Sequence, residues 1–288
     1  MHREDLLGAA RASGDTTQPN SGPLNLLVLG SGSRRGEPNR DNHSGQRSDV
    51  VILVHIDASR EAAAIISIPR DSYVYIPASG STWGGGMNKL NAAFAFGGAP
   101  LAAQTLTKLT GVTLDGALVA TFEATRRIVD AVGGVDVCLP YTVESSDTHR
   151  IWTAGRHHLN GDEADDLARH YDLPDANLSR IHDQQLVVQA LVKKLSTQNL
   201  LTKPLQFNKL LATVADAIIV DESLDLTKLA LALREIDPSN VKFATAPYSP
   251  IELQTPYGSA IQLDDAKSKA LFAAVRDDTV TTRLSNQP

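Results

Sequence analysis

Residues 47–71 read RSDVVILVHIDASREAAAIISIPRD. Two apolar runs, VVILVHID (50–57) and AAIISI (63–68), flank a short charged stretch, and Pro69-Arg70-Asp71 follows the second. Runs without polar alternation suit strands buried on both faces, so they predict the interior of a covered sheet. LNLLVL (24–29) is a third such run, and ALVATF (117–122), VDVCLP (135–140) and VKFATAP (241–247) read as further strands.

Helical patterns alternate with these runs. They fall at 88–96, at 99–110 before Gly111, at 123–134 ending in a glycine pair, and at 161–171 with acids in the first turn. Others fit 178–198, 205–218, 225–235 and 264–278. The alternation predicts an α/β fold: a single domain with a central mixed, largely non-alternating β-sheet flanked by helices on both faces. Residues 1–23 read as a linker or tail, 24–278 as the domain, and 279–288 as a C-terminal tail. Residues 30–47 lack an apolar period and read as a long exposed loop.

The chain has 288 residues, 42% of them hydrophobic, and a formal net charge of -6, enough for a sizeable core. No Lys/Arg stripe supplies the basic footprint that nucleic-acid binding needs, so that class is set aside. The single cysteine, Cys138, excludes an internal disulfide framework. No stretch has the length and apolarity of a membrane span or a signal peptide. That leaves a cytoplasmic protein or an extracytoplasmic domain parted from its anchor.

Two constellations could carry chemistry. Gly30, Gly32 and Gly36 follow a strand, and Asp57 ends the next, which mimics a dinucleotide fingerprint. That fingerprint needs a helix directly after the turn, and residues 34–47, with Pro38 and almost no apolar residue, do not offer one. The second is Asp49 at the start of one strand with Arg70-Asp71 at the end of its neighbour. An arginine fork grips phosphate oxygens, and a carboxylate holds a divalent cation. The plainer reading is a solvated ion pair beside a turn.

The order of RSDVVILVHID, IISIPRDSYVYIP, NKLNAAFAFGG, IVDAVGGVDVCLP, LNGDEA and RIHDQQ resembles the LytR-CpsA-Psr family over about residues 24–278. The resemblance implies a domain outside the membrane behind one N-terminal transmembrane helix, here absent from the sequence. It implies transfer of a glycopolymer from a polyprenyl-pyrophosphate carrier to a cell-wall acceptor, commonly peptidoglycan, with Mg²⁺ near the pyrophosphate. It implies that Arg70 clamps the pyrophosphate, aided by Arg34, Lys89, Arg180 and Gln184, and that Asp49 holds or orients the metal. Arg180 and Gln184, four residues apart, share a helix face. Asp71 is the candidate to take a proton from the attacking sugar hydroxyl, or else a partner for Arg70. The resemblance also implies that apolar segments between strands and helices line a groove for the isoprenoid tail.

The family's pattern is not fully kept. Gly32 and Asn177 stand where it has acids, and Ala168, His170 and Asp183 where it has arginines. Three readings follow: an active transferase in which Asp165, Asp166, Asp175 or Asp183 replaces lost acids, a non-catalytic binder of lipid-linked pyrophosphate or a partner transferase, or a site rebuilt on His170, His182 and Asp183. His157-His158 reads as loop polarity, and Trp83 and Trp152 as sugar-stacking or loop-packing residues.

Overall fold

A computed structural model of the chain describes residues 2–11, 22–31, 48–145, 148–168, 176–197, 212–213, 217–226, 229, 232–233 and 236–286. For 31, 176–184 and 196–197 it describes the backbone alone. Within the span expected as one domain the chain has two units. One comprises Phe122–Ala217, the other His2–Thr121 with Ile218–Pro288.

The larger unit is built on β1 (His2–Glu4), β2 (Leu24–Ser31), β3 (Ser48–Ile56), β4 (Ala63–Ser67), β5 (Tyr73–Ile76) and β6 (Gly86–Lys89), then α1 (Leu90–Thr110) and β7 (Gly116–Thr121). The smaller unit follows with α2 (Phe122–Ala131), β8 (Val135–Leu139), β9 (Val143–Glu144), β10 (Ile151–Trp152), β11 (Gly155–Leu159), α3 (Gly161–Ala168) and α4 (Ala176–Thr197). The chain then returns to the larger unit through β12 (Ile218–Asp221), β13 (Val241–Thr245), β14 (Tyr248–Thr255), β15 (Gly258–Leu263), α5 (Asp265–Arg276) and α6 (Val280–Ser285).

Among the described residues the central sheet has seven strands in the order β1-β12-β7-β2-β3-β4-β13. Three neighbouring pairs are parallel and three antiparallel, so the sheet is mixed as expected. Its strands have no polar face because both faces are covered. Leu27, Leu29, Leu53 and Ile66 pack with α1 and α5 side chains such as Phe94, Leu106 and Phe272. On the other face Leu24, Leu26, Ile56 and Ala63 pack with Leu224, Leu229 and Ala232. The helices expected at 205–218 and 225–235 lie largely outside the described residues, but Ile218–Asp221 is a strand, not a helix end. Its IIV run of β-branched residues favours that state.

Both tails need correction. Residues 2–11 are not a linker: β1 pairs in parallel with β12, and Leu6, Leu7 and Ala10 are core residues. The reason is a fully buried carboxylate, Asp221, which accepts hydrogen bonds from Leu6 N at 2.9 Å and Leu7 N at 3.1 Å. Residues 12–21 lie outside the description. Nor are residues 279–286 a tail, because α6 buries Val280 against the core.

The two helices expected at 88–96 and 99–110 form one element that breaks at Gly97-Gly98, where Gly98 has φ +64°. Asp57 does not serve a ribose. It closes the β3–β4 turn, accepting from Glu61 N and Ala62 N. Gly30 has its own reason, since a Cβ there would stand 2.8 Å from Val50 Cβ on the paired strand. No helix among the described residues is long and apolar enough to cross a membrane.

At the end of β3 away from Asp49, His55 is fully buried, with Nδ1 2.8 Å from Asn25 Oδ1 and Nε2 2.9 Å from Asp278 Oδ1. Burial holds its pKa below the usual histidine value, against the opposing pull of Asp278. The unfolded chain therefore binds the proton more readily than the folded one. The stability His55 contributes is complete above about pH 6.5 and falls as pH drops below it. Urea midpoints measured from pH 7.5 to pH 5 should decline, and His55→Gln should flatten that decline. An equal slope in both proteins would assign the pH dependence to other groups.

Candidate functional site

Asp49, Arg70, Asp71 and Lys89 meet at one end of the central sheet. The β3–β4 pair is antiparallel, with Ile52 opposite Ser67. Continued in that register, through the Ile68 N to Val51 O hydrogen bond of 2.9 Å, Asp49 falls opposite Arg70. Arg70 donates through Nη1 to Asp49 Oδ1. Its Nε lies 3.4 Å from Asp71 Oδ2. Lys89 ends β6 at the open end of hairpin β5–β6, opposite Tyr73, which brings its Nζ to 3.5 Å from Asp71 Oδ1.

The backbone locks this arrangement. Leu90 N donates to Ser72 O and Asn91 N to Arg70 O, each at 2.9 Å, so the Pro69–Ser72 turn is tied to the start of α1. Ser72 Oγ donates to Pro69 O at 2.7 Å, and Ile261 N of β15 donates to Asp71 O at 2.9 Å. The turn thus has little freedom, and the Arg70 fork leaves a fixed base.

Among the described residues the cluster is half-buried and charge-balanced. Arg70, Asp49 and Lys89 keep side-chain exposures of 18%, 24% and 17%, against 8% for Asp71, so the first three face an incoming molecule more than Asp71 does. Of the two roles expected for Asp71, these contacts are those of a counter-ion shared by Arg70 and Lys89. Asn91, which carries no role in the sequence reading, is part of the cluster: its Nδ2 lies 3.5 Å from Asp71 Oδ1. Its place two residues after Lys89, at the start of the helix, was the available signal.

A divalent cation has a narrow foothold here. No group of three or more His, Cys, Asp or Glu side chains gathers among the described residues. Among the described residues, however, Asp49 has a partner on only one carboxylate oxygen. One carboxylate is a sufficient protein share for Mg²⁺ when phosphate and water oxygens complete its shell, so the residues present fit that ion in company with a phosphate ligand.

The remaining expectations fare differently. Gly32, Arg34, His170 and Asp175 lie outside the described residues. Asn177, Arg180, His182, Asp183 and Gln184 are on α4 in the smaller unit, described there by backbone alone. Asp165 and Asp166 belong to that same unit. Asp165 is buried and 3.8 Å from Arg126. Asp166 accepts from Ser145 Oγ at 2.6 Å, Thr148 Oγ1 at 2.9 Å and Trp152 Nε1 at 3.0 Å. Both are therefore committed to local structure. Trp152 is core, not a sugar platform, being 2% exposed. Trp83 stacks on Phe96 with ring centroids 4.5 Å apart and donates through Nε1 to Ile76 O.

Comparison with known proteins adds a family. The sequence model of the LytR_cpsA_psr family matches residues 3–274. A cell wall biosynthesis protein, LcpA of Corynebacterium glutamicum, is 26% identical over 260 residues, covering 83% of this chain and 49% of that protein. A polyisoprenyl-teichoic acid–peptidoglycan teichoic acid transferase, TagU of Bacillus cereus, is 34% identical over 183 residues, covering 63% of this chain and 56% of that protein. The chain thus spans about half the length of these curated relatives. A solved LytR-Csp2A-Psr enzyme from Actinomyces oris shares the fold, with a TM-score of 0.69 at 22% identity, covering 96% of this chain and 97% of that one.

Proposed function

The chain belongs to the LytR-CpsA-Psr family, and from that premise we propose that it is a glycopolymer transferase working on a polyprenyl-pyrophosphate-linked glycan. The observation that carries this reading is the Arg70 fork, set beside Lys89 on a backbone-locked turn and only partly covered. Arg70 and Lys89 offer charge-assisted donors to the phosphate oxygens, which steadies the charge that grows on the leaving phosphate. The sugar hydroxyl of a cell-wall acceptor, peptidoglycan in the favoured case, attacks the phosphorus attached to the glycan. A new sugar–phosphate bond forms, the pyrophosphate P–O bond breaks, and the polyprenyl phosphate leaves with the bonding electrons. The hydroxyl proton passes to a base.

Charge balance supports a role for Mg²⁺. Among the described residues of the cluster two cations and two carboxylates cancel, so these four side chains alone offer a bare pyrophosphate no net positive charge. Asp49 would hold Mg²⁺ against the pyrophosphate, and the ion would neutralise its charge. Such a protein acts outside the cytoplasmic membrane, behind an N-terminal anchor.

The test is incubation of the protein with a polyprenyl-pyrophosphate-linked glycan, an acceptor glycan and Mg²⁺, followed by chromatography of released polyprenyl phosphate. Release that needs Mg²⁺ and stops with EDTA is the expected result. Tight binding of the lipid without release would instead make the chain a non-catalytic carrier-binding member of the family. Neither binding nor release would end the pyrophosphate reading.

A further inference from the structure

The geometry points to Asn91 as a positioning residue: through Asp71 it holds Arg70 and Lys89 as a single clamp for the pyrophosphate. This rests on the proposed pyrophosphate reading of the site. Asn91 is 3% exposed, and its amide nitrogen lies 3.5 Å from Asp71 Oδ1. Its own Oδ1 is buried with no hydrogen-bond partner among the described residues.

An unpaired buried carbonyl is unfavourable, and the orientation that creates it therefore needs a reason. Turning the amide over would set its carbonyl against the Asp71 carboxylate, acceptor against acceptor. The orphaned oxygen is thus the consequence of giving Asp71 a donor. What that donor secures is the rotation of the carboxylate. Oδ1 faces Lys89 Nζ at 3.5 Å while Oδ2 faces Arg70 Nε at 3.4 Å. A carboxylate free to turn would release both cations. The tie is confined to the side chain, because Asn91 N is already held by Arg70 O at 2.9 Å whatever side chain follows.

A leucine at this position has the same side-chain branching and number of heavy atoms, needs no partner and gives Asp71 no donor. A purely structural asparagine and a positioning one therefore predict opposite things. In the whole chain, Asn91→Leu should keep or raise the thermal midpoint, since it removes the orphaned carbonyl. Calorimetric affinity for farnesyl pyrophosphate with Mg²⁺ should fall about 10-fold or more, as when supporting hydrogen bonds behind a binding group are cut. A second variant, Asn91→Asp, sets two carboxylates together. It should bind weakly at pH 8 and recover towards pH 5.

Unchanged affinity in Asn91→Leu, whatever its stability, overturns the proposal, as does a pH-independent Asn91→Asp. If the wild-type protein binds no farnesyl pyrophosphate, the pyrophosphate reading of the site is what fails, and the role of Asn91 falls with it. If the wild type binds and Asn91→Leu binds equally well, only the role of Asn91 fails.

Discussion

Arg70→Ala is expected to lower polyprenyl phosphate release by about 100- to 1,000-fold, the scale of losing one preorganised donor to a transition-state charge. The guanidinium is the group in the described site that offers a planar fork, and both of its carboxylate partners lie on the same locked turn or the strand beside it. Arg70→Lys restores the charge without the fork, so it should recover only part of the loss. Among the described residues the alanine variant leaves Asp49 without a cation and Asp71 with Lys89 as its remaining cation, which costs some stability as well. Rates should therefore be compared at a temperature where circular dichroism shows both proteins folded. An alanine variant that turns over like the wild type would place the chemistry elsewhere.

Trp152→Ala should carry the largest stability cost, about 3–5 kcal/mol in a urea melt, as for other large buried aromatics truncated to alanine. The indole is packed in the core of the smaller unit with Val143, Leu159 and Leu167. The Arg150 guanidinium lies 3.9 Å from the ring centroid, and the His157 ring meets the indole edge-on at 5.6 Å. Asp166 would lose one of three donors but keep Ser145 and Thr148, so the cost is chiefly cavity and lost packing. Trp152→Phe fills most of that space and should cost markedly less. A near-neutral alanine variant would return Trp152 to the list of surface candidates for sugar stacking.

Much of the sheet was legible because its strands are buried on both faces. VVILVHID and AAIISI have no polar side to confuse with a helix pattern, and they appear as β3 and β4. The hairpins were not legible. Strands β5, β6, β14 and β15 are half-exposed, with Tyr75, Met87 and Ile251 turned towards solvent and Tyr257 exposed in the β14–β15 turn, so their apolar pattern is broken. The N-terminal segment misled for another reason. Leu6 and Leu7 stand in a run too short to read as an element, and what ties their backbone to the core is a carboxylate more than 200 positions along the chain.

By itself the sequence determined the α/β alternation and the motifs SIPRD, KLNAAFAFGG and VGGVDV, which place the chain in its family. Those signals are local, written in residues adjacent or one turn apart. Only the tertiary structure decided how the site is wired. The antiparallel register of β3 and β4 sets Asp49 against Arg70, and the β5–β6 hairpin brings Lys89 back to Asp71. The start of α1 then puts the Asn91 amide behind that carboxylate, with its own carbonyl unpaired. Strand register and hairpin closure depend on which distant backbone groups find each other, and no single stretch of sequence specifies that.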